Sequence, residues 1–267
     1  MDAAERFTDD DLRFVAETVA AGRYDAADAP ARLRGRQDLL DVMLEDDRLV
    51  DRLLGDDQAL LRVSPRLVFS VLLRRVVRDL EQRPYTVERA EDETVAVFDA
   101  TQVRRFIAEP EIWHYLVSML TSFIRNESLT VLVRRREHYV RRRFNTSSLE
   151  DMIDLLGLTG GDDVPWIFRR IGDIALFQSG IFPQSLRWAG GARNRALRPA
   201  AVPPTLASYE EQGRKFYKLA ASRAMDDNGR VLGALAEEFS AARKSLELLS
   251  DRYLRWTPIR WFPGFEG

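Results

Sequence analysis

The stretch DVPWIFRRIGDIALFQSGIFP, residues 163–183, decides how the rest of the chain can be arranged. Pro165 stands near its beginning and Pro183 at its end, the places where proline starts a helix and follows one. Apolar residues at helical spacing lie between the two prolines, so the pattern predicts a helix that enters the core. One acidic residue, Asp173, interrupts this apolar run, and its role bears on function.

Two arginines at helical spacing account for the presence of Asp173 in this apolar run. Arg169 and Arg170 precede Asp173 by four and three residues, the separations at which helical side chains meet. A nearby opposite charge favours the ionised carboxylate and lowers its pKa, so the spacing predicts a structural ion pair. The same charges, with Tyr209 and Tyr217 from a later segment, are the candidate site for an anionic small ligand.

Small residues on another side of this helix predict a close helix crossing. Gly172 belongs to a stripe of small residues, and a downstream segment carries Gly213 with alanines on one face. Small side chains let two backbones approach, so we expect the helices to cross near these glycines. Three aromatic residues are expected to fill the space around the crossing: Phe177, Phe216 and Tyr217.

Helix-start and helix-stop residues recur through the remaining chain. Thr8 and Ser64 stand where N-caps are expected, and the spacing of Asp99 and Gln102 is that of a capping box. The predicted helices cover residues 8–21, 37–55, 64–83, 99–107, 110–126, 147–157, 208–225 and 229–256.

The fold class that follows is mainly α, an irregular multi-helix domain with a small β-hairpin insertion. Alternating apolar residues near 85–98 predict the hairpin. The segment SLTVLVRRREHYVRRRFN, residues 128–145, fits either state, and we interpret it as a helix after a short extended start. The proline-rich loop at 196–205 suggests a boundary between residues 1–198 and a C-terminal helical pair at 199–267, packed on the same core.

Composition excludes several classes of chemistry. The chain has no cysteine, which removes disulfides, thiolate nucleophiles and cysteine-ligated metals. Glu111 and His114 have the Glu-x-x-His spacing that resembles one half of a ferritin-like di-iron site, but the second such motif is missing from the sequence. We therefore assign no catalytic residue, metal or cofactor. The acidic N-terminus lacks the features of a signal peptide, and no apolar stretch is long enough to span a membrane, so we expect a cytoplasmic protein.

The strongest functional pattern is a basic stretch. Residues 1–60 hold 16 acids and 8 bases, whereas residues 125–143 hold 7 arginines, so we expect an acidic and a basic side. Our first hypothesis is a non-enzymatic interaction or regulatory protein whose arginine face meets an acidic partner or a second copy. The alternatives are a nucleic-acid-binding module using the same arginines, and an enzyme or ligand binder centred on Arg170 and Asp173. The candidate contacts are Arg134, Arg135, Arg136, Arg141, Arg142 and Arg143.

The C-terminal tail is rich in aromatic residues, namely Trp256, Trp261, Phe262 and Phe265. Aromatic residues dominate interface hot spots, so the tail could anchor a partner. We favour the interpretation that it folds back over the protein's own core.

Overall fold

The structure, a computed structural model, describes residues 7–21, 28–90, 93–125, 127–135, 138–183, 205–224, 228–254 and 262. Within these ranges the fold is mainly α, with two separate antiparallel strand pairs, which confirms the predicted class. The first nine helices and four strands are α1 Asp9–Val19, α2 Ala29–Arg34, α3 Gln37–Leu44, α4 Asp47–Gly55, α5 Asp57–Arg62, α6 Pro65–Glu81, β1 Thr86–Ala90, β2 Glu93–Val97, α7 Ala100–Ile107, α8 Pro110–Ile124, β3 Ser128–Arg135, β4 His138–Asn145 and α9 Leu149–Leu156. The C-terminal half adds α10 Val164–Ile181, α11 Leu206–Ala221, α12 Asn228–Glu237 and α13 Phe239–Leu249, followed by a π-helical turn, Ser250–Leu254.

Local capping explains where the N-terminal helices begin. The Thr8 hydroxyl accepts a hydrogen bond from the Asp11 amide, and the Asp11 carboxylate accepts one from the Thr8 amide. The same buried carboxylate accepts from the amide and the hydroxyl of Ser64, both at 2.7 Å, and Ser64 in turn caps α6. One acid therefore fixes the starts of α1 and α6 relative to each other.

Helix α10 lies at the centre of the C-terminal half, packed against α9, α11 and α13. A Cβ on Gly172 would lie 2.7 Å from the Tyr217 ring of α11, which confirms the predicted close crossing. The prediction for Gly213 was wrong, because a Cβ there would collide with the ring of Phe239 of α13 instead. Phe177 also lies elsewhere and stacks on Phe123 of α8, with ring centroids 4.1 Å apart.

Two long predicted helices are each divided in the structure. The 37–55 segment forms α3 and α4, because Asp46 leaves the helical conformation and its side chain caps α4. The described part of the 229–256 segment, up to residue 254, forms α12, α13 and the π-helical turn. Arg214 of α11 donates hydrogen bonds to the carbonyl oxygens of Ala236 and Glu237, at 3.1 and 2.6 Å, where α12 ends. A guanidinium that takes these carbonyls replaces the intrahelical bonds that a continuous helix would form.

The predicted capping box at the start of α7 was wrong. Asp99 makes no capping bond and instead accepts hydrogen bonds from Thr86 of β1 and from Lys244 of α13. Gln102 donates to Glu238 at 2.9 Å. Tertiary partners have taken both side chains away from the local backbone.

Residues 128–135 and 138–145 form the antiparallel strand pair β3–β4, which we call the β3–β4 hairpin, so the helical interpretation of this segment was wrong. The register pairs Leu129 with Phe144 and Val131 with Arg142. Phe144 is fully buried, and Val131 packs against the core. Alternation of period two places these side chains on one face of a strand, whereas a helix would distribute them around its axis.

The predicted boundary between residues 198 and 199 lies outside the described residues. Buried residues from α1 to α13 belong to one hydrophobic cluster, which Phe262 of the tail also joins. Phe262 stacks on Phe69 and meets Phe177 edge to face at 4.7 Å, so this tail residue covers the protein's own core. The other tail aromatics lie outside the described residues. Among the helices that the structure describes, none is both long and apolar enough to cross a bilayer.

Candidate functional site

The sequence-predicted site residues fall into two places, a buried cluster around Asp173 and the exposed β3–β4 hairpin. In the cluster, Asp173 is 2% exposed and accepts hydrogen bonds at Oδ1 from the hydroxyls of Tyr115 and Tyr217, at 2.5 and 2.9 Å. Its Oδ2 lies 3.7 Å from Nε of Arg169. The carboxylate thus joins α8, α10 and α11 through three partners.

Burial controls the protonation of this cluster. It raises the pKa of Asp173 above its usual value and outweighs the Arg169 charge and the two tyrosine hydrogen bonds, which act in the opposite direction. The lowered pKa predicted from the arginine spacing was therefore wrong. Burial and the adjacent Asp173 charge also raise the pKa of Tyr115 and of Tyr217 well above the usual value, which keeps both hydroxyls protonated as donors.

Arg170 is oriented differently from the predicted ion pair. Its Nε donates to the carbonyl oxygen of Thr146 at 2.6 Å, and one terminal nitrogen donates to the Ser122 hydroxyl at 2.8 Å. Its guanidinium also lies 4.0 Å from the Phe123 ring centroid. Thr146 directly follows β4, so this buried arginine attaches the base of the hairpin to α8 and α10.

Tyr209 is not part of the same contact set. It lies two turns before Tyr217 on α11, about 12 Å along the helix axis. Burial and the charge of Glu150 raise its pKa. The structure therefore brings Arg169, Asp173 and Tyr217 together, whereas Arg170 and Tyr209 serve neighbouring contacts. The cluster is a buried polar network with its hydrogen bonds satisfied inside the chain.

The β3–β4 hairpin has two chemically different faces, because side chains alternate along a strand. On one face Arg142 forms an ion pair with Asp154 of α9 at 2.5 Å, and its guanidinium lies 4.8 Å from the Phe144 ring centroid. This face is attached to the domain. Of the predicted contacts, Arg134 and Arg135 belong to β3, while Arg136 lies outside the described residues.

The opposite face is open. Its cross-strand pairs include Thr130 with Arg143 and Leu132 with Arg141. Leu132 is 61% exposed, and Tyr139, further along the same face, is 67% exposed. Arg143 donates from Nε to the Ser128 hydroxyl at 2.7 Å, and Arg141 has no ion pair or hydrogen bond among the described residues. We call the set Leu132, Tyr139, Arg141 and Arg143 the ribbon face.

The sequence interpretation missed Leu132, the aliphatic member of this face. Reading the segment with a strand period would have found it, because Leu132 is the cross-strand partner of Arg141. The sequence pattern also does not indicate a cavity of about 520 Å³ between α3, α6 and α8. There the Arg74 guanidinium lies 4.6 Å from the Trp113 ring centroid and pairs with Asp41.

The Glu-x-x-His pair does not form part of a metal site in the described structure. Glu111 forms an ion pair with Arg230, and His114 packs edge to face on Trp113. The described residues contain no group of three or more carboxylates and histidines placed to hold a metal ion. No family model, no curated protein and no solved structure matches the chain.

Proposed function

We propose that this chain is a non-enzymatic cytoplasmic interaction protein whose ribbon face binds an acidic protein segment that also carries apolar side chains. The observation that supports the proposal is the combination of exposed Leu132 and Tyr139 with Arg141 and Arg143 on one face of β3–β4. Aromatic residues and arginine are enriched where protein interfaces form.

The energetics of the ribbon face favour a partner that buries it. Full burial of a leucine side chain contributes about 1.5–3 kcal/mol, and Leu132 and Tyr139 are mostly exposed in the isolated chain. Carboxylates of a partner would meet Arg141 and Arg143 in geometries that guanidinium groups favour. Such charges mainly raise the rate of association and determine which partner is selected.

The hairpin is held in place before any partner arrives. Phe144 is buried at its base, the Asn145 amide donates to Asp151 of α9 at 2.7 Å, and Thr146 bonds to the Glu127 carbonyl through its amide and its hydroxyl. Arg170 adds the bond to the Thr146 carbonyl. A prearranged surface loses less conformational entropy on binding, which strengthens association.

A protein partner suits this face better than nucleic acid. The whole chain has a net charge of −2, whereas domains that bind the phosphate backbone are typically basic as a whole. The exposed Leu132 also lacks a ring that could stack on a base, whereas an apolar side chain of a protein partner can bury it. Nucleic-acid binding by the same arginines remains the alternative outcome of the experiment below.

The test is a binding titration with three labelled probes: a peptide in which glutamates alternate with apolar residues, an all-glutamate peptide of equal charge, and mixed-sequence DNA and RNA. We expect the alternating peptide to bind most tightly. Replacing both Arg141 and Arg143 with glutamine should weaken its binding by at least about tenfold. Arg142→Gln is the matched control, because Arg142 pairs inside the chain.

Each result has a defined meaning. Preference for the alternating peptide, lost in the Arg141 and Arg143 variant but kept in Arg142→Gln, supports the proposal. Tighter binding of DNA or RNA that weakens steeply with salt would contradict the protein partner and support nucleic-acid binding by the ribbon face. Failure of every probe to bind at low salt would contradict both.

A further inference from the structure

We infer that the acidic segment recognised by the ribbon face is presented by a second copy of this chain, on the outer face of α4 and α5. The inference rests on the proposed function and names its partner. On α4, Asp51 and Leu54 are exposed one turn apart; on α5, Asp57 and Leu61 are exposed one turn apart, with Leu61 74% accessible. We call these four residues the acidic face.

A single residue joins the two helices that carry this face. Asp56 ends α4 and also begins α5, where its carboxylate accepts a hydrogen bond from the Gln58 amide at 2.9 Å. The opposite sides of both helices are in the core, through Leu49 and Leu53 of α4 and Ala59 of α5. The acidic face therefore projects outward from helices whose orientation is fixed by packing.

The charges on the acidic face are not neutralised by the chain itself. Within the described residues, neither Asp51 nor Asp57 has a cation within ion-pair distance. The two arginines nearest in sequence are occupied elsewhere: Arg52 and Arg62 both pair with Glu17, at 3.6 and 3.4 Å. Arg52 additionally donates to the Thr18 hydroxyl and lies over the Phe14 ring.

The acidic face and the ribbon face are complementary in composition. Each combines two exposed charges of one sign with two exposed apolar side chains, and the signs are opposite. Because the faces lie on different elements of the same chain, each contact joins the ribbon face of one copy to the acidic face of another. Two such contacts close a two-fold dimer when one axis relates them, and otherwise the free faces at each end extend the assembly into a ring or a filament.

The experiment is sedimentation velocity on the full chain over a concentration series, at low and at physiological salt. We expect the wild type to form dimers or larger oligomers whose population rises with concentration and falls with salt. One variant carries Arg141→Gln with Arg143→Gln, and the other carries Asp51→Asn with Asp57→Asn. Each variant alone should stay monomeric.

Mixing the two variants is the decisive step. The first variant keeps an intact acidic face and the second keeps an intact ribbon face, so the mixture should stop at a 1:1 pair. Two controls remove exposed charges that already pair inside the chain, Arg142→Gln and Asp10→Asn, and both should assemble like the wild type.

The outcomes separate the inference from the proposed function. A wild type that remains monomeric, or oligomers that neither variant weakens, would overturn the inference. If the alternating peptide of the earlier titration still binds the ribbon face in that case, the proposed function stands and the partner is a different acidic protein. A 1:1 pair formed only in the mixture establishes the second copy as the partner.

Discussion

At the scale of single residues, the buried carboxyl group of Asp173 makes the stability of the fold depend on pH. Its pKa is higher in the folded protein than the usual 3.8, because it is buried among Tyr115, Tyr217 and Arg169. The folded state therefore binds this proton more tightly than the unfolded state does. The resulting stabilisation is complete below pH 3.8 and is lost as the pH rises through the folded pKa.

Asp173→Asn removes this dependence while keeping an oxygen that can accept from both tyrosines. We expect the variant to gain stability relative to the wild type as the pH rises from below 3.8 through the folded pKa of Asp173. The measurement is the free energy of unfolding by urea for both proteins across that range. Other carboxylates titrate in both proteins, so only the difference is used. A difference that is constant with pH would contradict the assignment.

At the scale of helices, the crossing of α10 and α11 depends on Gly172. A methyl group at this position would lie 2.7 Å from the buried ring of Tyr217, whose hydroxyl is held by Asp173. We expect Gly172→Ala to lower the free energy of unfolding by about 1–3 kcal/mol, because the ring cannot move without breaking that hydrogen bond.

Gly233 provides the matched control for this change. It lies inside α12, and a Cβ added there would have no neighbouring atom within 4 Å, so alanine fits without a collision. Gly233→Ala should raise stability by about 0.5–1 kcal/mol, since alanine is the better helix former. Thermal unfolding of the two variants should thus shift in opposite directions. Shifts of the same sign would show that the Tyr217 contact does not govern the crossing.

Helices were predictable where their determinants are local. Thr8 and Ser64 cap helices through bonds to residues three positions away, and the sequence alone identified both. The division of the last long helix depends on Arg214, which is more than twenty residues distant from the carbonyls it binds. No local pattern contains that information.

The candidate sites show the same limit. The spacing of Arg169 and Asp173 correctly indicated an ion pair, yet Tyr115, the other strong influence on Asp173, comes from α8. Its approach depends on tertiary packing. The β3–β4 hairpin was misassigned because strand pairing joins residues across a turn, and charged residues in Arg141 to Arg143 obscured the alternation that Leu129, Val131 and Phe144 follow.

At the scale of the whole molecule, a charge cluster attaches the β1–β2 hairpin to the C-terminal helices. Lys244 of α13, 7% exposed, forms ion pairs with Glu88 of β1 at 2.7 Å and with Asp99, which lies between β2 and α7. Burial alone would lower the pKa of Lys244, but the bonds to Asp99 and Glu88 outweigh it and raise the pKa. These contacts connect parts of the chain separated by more than 140 residues.

Lys244→Met keeps much of the side-chain volume but removes the cation, leaving Asp99 and Glu88 without this partner. We expect the free energy of unfolding to fall by about 1–3 kcal/mol, less than for a fully buried pair because Glu88 is partly exposed. Lys218→Met, the same replacement at an exposed position, should leave stability within about 0.5 kcal/mol of the wild type.

Because the folded pKa of Lys244 is raised, its contribution to stability is fully present below pH 10.5 and is lost as the pH rises through the folded pKa. Urea unfolding of both variants at neutral pH, repeated above pH 10.5, tests this pH dependence. The loss of unfolding free energy in Lys244→Met, relative to the wild type, should become smaller at high pH. A loss that stays the same would show that it comes from packing and not from charge.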